Sequence, residues 1–211
     1  MKKKFILAAV FLAAFVLWTV AISFVDVQPI GPRESCVGFA TLNGFVHSLT
    51  GVNMALYTIT DWLGLVPVAF GFGFAILGLV QWIRRKNILK VDFSVLVLGG
   101  FYLLVLAVYL LFETVVINRR PVLIMDYLET SYPSSTTLLV LTVMPTAILQ
   151  LSSRIKAPLW RKVVTYGITV FVAFVILGRL ISGVHWFTDI VGSLFLGAGL
   201  VMLYDAAISG K

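Results

Sequence analysis

The sequence predicts an all-α polytopic membrane protein: six transmembrane helices, with an outer interfacial helix between the first two. Three observations predict it. The 211 residues are 60% hydrophobic and only 12% charged, whereas a soluble domain of this size is closer to half apolar and a quarter charged. The apolar residues gather into runs of about 20, the length a helix needs to cross the hydrocarbon core of a bilayer. The positive charge is also segregated. Twelve of the sixteen Lys and Arg residues lie in "MKKK", "RRKNILK" (84–90), "RIKAPLWRK" (154–162) and Lys211. The net charge of +7 is thus a topology signal, not the footprint of a nucleic-acid partner.

The six spans are expected at residues 5–24, 63–83, 93–112, 134–151, 163–181 and 190–208. The first follows a basic start, as in a cleaved secretion signal. It is longer than a signal core and no small-x-small site precedes "FVDVQPIGPRES", so a retained span is expected. The basic segments fall on one side of an alternating chain, and the positive-inside bias makes that side cytoplasmic, termini included. A plasma-membrane location follows, with residues 1–211 forming one domain and the bilayer as its partner. Only Arg33, Arg119, Arg120 and Arg179 remain for the outer side.

The longest connection, 25–62, lies outside. It opens with turn-rich residues and continues as "NGFVHSLTGVNMALYTITDWLG", where Phe45, Leu49, Val52, Leu56 and Ile59 recur at helical spacing. That pattern is an amphipathic helix lying in the interface. His47 is about 200° from Phe45 on this wheel and faces away from the stripe. It is either a wet surface histidine or a rim contact for headgroups. Cys36 has no partner cysteine in the chain, which excludes an intramolecular disulfide and argues against a cysteine metal site.

The remaining spans bring chemistry with their ends. Glu113, Arg119, Arg120, Asp126, Glu129, Arg179, His185 and Asp189 collect at outer helix ends and loops, while the spans are almost free of charge. Polar groups are costly at membrane depth, so those kept at one face suggest a site. The fourth span opens at "SYPSSTTLL": Pro133 pre-sets the turn, and Ser134 and Ser135 begin a helix whose free N–H groups favour an anion. The fifth ends near Arg179 and the sixth begins near Asp189. His185 and Asp189 are then one turn apart, so the carboxylate can orient the imidazole or simply cap the helix. Arg120, before Pro121, adds a second guanidinium fork suited to phosphoryl oxygens or to lipid anchoring.

Together these segments resemble the three signature motifs of the type 2 phosphatidic acid phosphatase (PAP2) superfamily, over about residues 63–208. Arg179, His185 and Asp189 match the third motif, with Gly178 where Ser is usual. Arg120 and Pro121 match the first, with Glu113 in place of Lys. Pro133 and Ser134 match the second, with Ser135 in place of Gly and Thr136 in place of His. The resemblance implies a lipid phosphatase that needs neither metal nor other cofactor and acts on a phosphorylated membrane lipid. His185 would attack phosphorus to give a phosphohistidine, and Asp189 would orient it. Arg120, Arg179, Ser134 and Ser135 would hold the phosphoryl group, with Thr136, Glu113 and Arg119 as modulators.

A threonine cannot act as an acid near neutral pH, and general acid catalysis is worth about 100- to 10,000-fold where the leaving oxygen is basic. Thr136 therefore favours a polyprenyl diphosphate, whose leaving phosphate is a stable anion, over phosphatidic acid or phosphatidylglycerol phosphate. Glu113 implies a weaker grip on a highly charged headgroup, unless it pairs with Arg119 or donates the missing proton. A catalytically silent relative that binds or moves phosphorylated lipids is the alternative, and the sequence does not define an oligomeric state.

Overall fold

The computed structural model describes residues 2–210. The chain runs as α1 (Lys2–Phe24), α2 (Ala40–Thr50), α3 (Met54–Leu63), α4 (Leu65–Arg85), α5 (Phe93–Thr114), α6 (Ser135–Arg154), α7 (Pro158–Ile181) and α8 (Phe187–Ile208). Among the described residues, six stretches are long and apolar enough to cross a membrane, α3 and α4 counting as one of 32 residues. The chain is a multi-pass membrane protein. Hydropathy located every span but undershot several helix starts, because helices continue into polar flanks that an apolar window cannot see. Pro158 opens α7 at its first turn, where a missing N–H costs nothing. Lys211 lies outside the described residues.

α6 and α8 form the centre. Half of each membrane-crossing stretch is buried there, against 17–22% in the other four. α1 lies along α8, where Gly199 admits Leu12: a Cβ at Gly199 would come within 2.8 Å of the leucine side chain. Ion pairs tie the basic ends together. Lys4 meets Asp205 at 2.7 Å, and Asp92 receives Arg85 at 2.9 Å and Arg154 at 3.6 Å. The three basic segments thus share one end of the bundle. The opposite end carries α2, α3 and the long connection between α5 and α6.

One expectation needs correction. The interfacial segment is two helices, not one. Gly51, at φ +61°, ends α2 with its N–H on the His47 carbonyl, and the Asn53 side chain caps α3 by accepting from Leu56 N at 2.9 Å. Periodicity ran through this break because Phe45, Leu49, Val52 and Ile59 still point outward on both sides of it. α3 then enters α4 through Gly64. It leans on the end of α7, where a Cβ on Gly178 would lie 2.6 Å from the Thr60 methyl. His47 is half-buried, with its ring 5.5 Å from that of Trp186, so it is not a wet surface residue.

Candidate active site

The link between α7 and α8 is fixed by backbone chemistry. Gly183 adopts φ +64°, and any Cβ there would strike the Gly51 carbonyl at 1.7 Å. Ser182 O accepts from Asn53 N at 2.9 Å. α8 then starts on a capping interaction, with the Trp186 N–H donating to Asp189 Oδ2 at 2.9 Å. His185 is left directly above the helix start and is only 3% exposed.

A second loop, between α5 and α6, folds back on itself. Arg120 N donates to Glu129 O at 3.1 Å, and Ser131 N donates to Asn118 O at 3.0 Å. Arg120 and Ser131 are thereby brought together beside His185. The imidazole is held between two chemically different sides. On one, Nε2 lies 2.9 Å from Arg179 Nη2 and 3.3 Å from Arg120 Nη1. Arginine nitrogens only donate, so Nε2 must be the bare acceptor. On the other, Nδ1 lies 3.2 Å from the Ser131 carbonyl, which assigns its proton there.

Asp189 acts on the ring less directly than its spacing suggested. Its Oδ2 is 3.7 Å from Nδ1, beyond a good hydrogen bond. Ser131 Oγ donates to this Oδ2 and also lies 3.2 Å from Nδ1. The carboxylate therefore caps α8 and anchors Ser131, and Ser131 holds the ring. Burial first, then the Arg120 and Arg179 charges, hold the His185 imidazole well below its usual protonation range. It is a neutral ring with a lone pair aimed at two cations.

His185, Arg120, Ser131, Ser135 and Glu113 line one cleft with Pro133, Tyr132 and Thr130. Ser134 does not line it. It is fully buried, its hydroxyl accepts from Thr137 at 3.0 Å, and its carbonyl accepts from Ser193. Thr136 also faces elsewhere, with its methyl 3.2 Å from where a Cβ on Gly64 would stand. Arg119 is spent on the loop, donating to the Leu128 carbonyl at 2.8 Å. Glu113 accepts from Thr130 at 3.4 Å and forms no ion pair with Arg119 among the described residues.

Sequence reasoning missed Ser131, Tyr57 and Asp61. The two guanidiniums share the Tyr57 ring, with their central carbons 4.6 Å (Arg179) and 5.7 Å (Arg120) from its centroid. Arg179 Nη1 meets Asp61 Oδ1 at 3.3 Å, and Arg120 Nε meets Glu129 Oε2 at 3.0 Å. The only available signal was that Tyr57 and Asp61 are four residues apart on one helix face.

The sequence profile of the PAP2 superfamily matches residues 34–208. This reaches further back than the signature motifs and takes in α2 and α3. Among solved structures, the fold is similar to one described as the first transmembrane PAP2 type phosphatidylglycerolphosphate phosphatase from Bacillus subtilis. The TM-score is 0.57 at 19% identity, covering 97% of this chain and 96% of that one. No curated protein matches the sequence.

Proposed function

The chain belongs to the PAP2 superfamily, and from that premise we propose that it is a membrane lipid phosphatase working through a phosphohistidine on His185. One observation carries this reading. The Nε2 lone pair of His185 is 2.9 and 3.3 Å from two arginines, while Nδ1 is committed to Ser131. A phosphoryl group entering between ring and guanidiniums meets a neutral nucleophile and two forks for its oxygens. Nε2 forms the bond to phosphorus as the bond to the leaving oxygen breaks, and water then releases phosphate from the ring. Charge on the transferring group is stabilised by Arg120 and Arg179 in a water-poor setting, where such contacts are strong. Ser135, at the start of α6, lines the same cleft and extends the cradle.

The substrate is a lipid bearing a terminal phosphoryl group. With Thr136 turned toward Gly64, no histidine protonates the leaving oxygen, which favours a diphosphate, whose leaving group departs as a stable anion. The basic ends of the bundle, taken with the positive-inside bias, support a cleft that opens at the outer leaflet. A cysteine at Ser153 should then be shielded from an impermeant thiol reagent in intact cells, and one at Glu129 should label once Cys36 is replaced. Labelling at 153 alone inverts the orientation.

The test of activity is phosphate release in detergent from a panel of lipid mono- and diphosphates, with trapping of acid-labile phosphoprotein. Turnover that vanishes in His185→Ala supports the reading; full turnover in that variant removes it. Binding of these lipids without any turnover would instead identify a silent relative, the second reading that the turned-away Thr136 favours.

A further inference from the structure

Both arginines of the cradle are already paired, and with carboxylates unlike any other pair around His185. Arg179 is 1% exposed and Arg120 10%, yet their partners Asp61 and Glu129 are 55% and 42% exposed. Each carboxylate sits at the rim, on an element of its own: Asp61 on α3 and Glu129 on the folded loop. The cations cannot retreat. Tyr57 packs under both guanidiniums, and both point at His185 Nε2. The carboxylates can retreat, because each already has open water beside it.

At rest each guanidinium of the cradle carries a rim carboxylate of its own, Asp61 on Arg179 and Glu129 on Arg120. Resting on the proposed phosphoryl site, we infer that Asp61 and Glu129 are specificity residues that exclude singly charged phosphodiester headgroups. A monoanion can replace only one of the carboxylates, and it exchanges one ion pair for another of the same kind. A terminal phosphoryl dianion presents three free oxygens and two charges. It can take both forks at once and displace both carboxylates to water. A membrane surface offers anionic diester headgroups at far higher density than any phosphoryl-bearing lipid, so a bare pair of arginines would be occupied by the wrong lipid. Discrimination of this sort needs a repulsive element as well as an attractive one.

The approach of α3 makes the arrangement specific to this chain's sequence. Gly178 is the residue that lets Thr60 close on α7, and Thr136 packs where α3 turns into α4 at Gly64. Those are two of the positions at which this chain departs from its family's motifs. The helix they admit is the one that carries Tyr57 and Asp61.

The experiment compares two unhydrolysable anions on the full chain in detergent at pH 8 by calorimetry: inorganic phosphate, then a dianion, and dimethyl phosphate, a monoanionic diester. Wild type should prefer phosphate. Asp61→Asn and Glu129→Gln should each tighten dimethyl phosphate by about 3-fold, and together by about 10-fold, as expected for removing partly exposed opposing charges. Phosphate should change less, so the preference narrows. Weaker binding of both anions would mean that the carboxylates merely position the arginines and would overturn the inference, as would an unchanged preference. Should either amide variant not purify as a monodisperse protein, Asp61→Ser and Glu129→Ser remove the same charges. Arg179→Gln separates the two layers of the argument. If it leaves both affinities intact, or if wild type binds neither anion, the phosphoryl site itself is lost and this inference with it.

Discussion

The starts of α8 and α6 face the same cleft but use their residues in opposite ways. At α8, the functional residues are buried and multiply held: His185 by Ser131 and two arginines, Asp189 by Ser131 and the Trp186 amide. At α6, Ser134 is consumed by packing, Ser135 lines the cleft, and Thr136 is turned to the α3–α4 corner. The His185 side is held by many contacts, and the α6 side is given over to packing. On the proposed mechanism, a substrate would then supply its own good leaving group.

The largest effect should come from the His185 side. His185→Ala should lower phosphate release by at least about 1,000-fold, since the nucleophile and its orienting partners act as a unit. Loss of trapped phosphoprotein, with lipid binding retained, is the check. Asp189→Asn comes next, at about 100-fold, because it disturbs both the cap of α8 and the anchor of Ser131. Ser131→Ala keeps the carbonyl that receives Nδ1–H but removes the hydroxyl from a buried carboxylate. Unsatisfied buried acceptors cost about 1–3 kcal/mol, so a loss of about 10-fold is expected in kcat rather than KM. If Ser131→Ala were silent while Asp189→Asn was severe, the carboxylate would be acting on the ring directly.

The contrast also explains what could be read from the sequence. The spans and the cluster at His185 were legible because their signals are local: apolar runs of helix length, and Arg179, His185 and Asp189 within eleven residues of chain. Ser131, Tyr57 and Asp61 were not, because their roles arise from tertiary folding. Ser131 reaches His185 only after residues 118–131 pair back on themselves, and Tyr57 and Asp61 only after α3 leans on Gly178. Ser134 was chosen correctly as a helix start, yet whether a capping residue faces a cleft or a neighbouring helix is decided by packing that no motif encodes.

A subtler test uses pH. An imidazole held below its ordinary range stays unprotonated as acid is added, so the nucleophile should not impose an acid limb near pH 6.5, the usual histidine value. The same shift acts on stability. The unfolded chain takes up a proton on His185 below that value while the folded chain resists, so this residue's contribution is fully present above about pH 6.5 and falls as the medium is acidified. Arg120→Gln removes one of the two opposing charges and should move the acid limb of kcat/KM upward toward neutrality. A limb that stays put in Arg120→Gln would mean that burial alone holds the ring neutral.

The smallest effect is expected at Thr136, and it is where sequence and structure give different answers. Read from the motif alone, Thr136→His restores an acid and should quicken lipid monophosphate hydrolysis by up to about 100-fold, with little change for diphosphates. In the folded chain the Thr136 methyl already lies 3.2 Å from the Cβ position of Gly64, and the cleft is lined by its neighbour Ser135 instead. An imidazole introduced there presses on the α3–α4 corner and is not aimed into the cleft from which an oxygen would leave. The expected gain on monophosphates is therefore below about 3-fold, with a loss of stability of about 1–3 kcal/mol from overpacking. Thermal unfolding in detergent and paired mono- and diphosphate assays measure both. A gain near 100-fold confined to monophosphates would show that the α6 start can still turn its third residue into the cleft, and that the two helix starts differ in side chain alone.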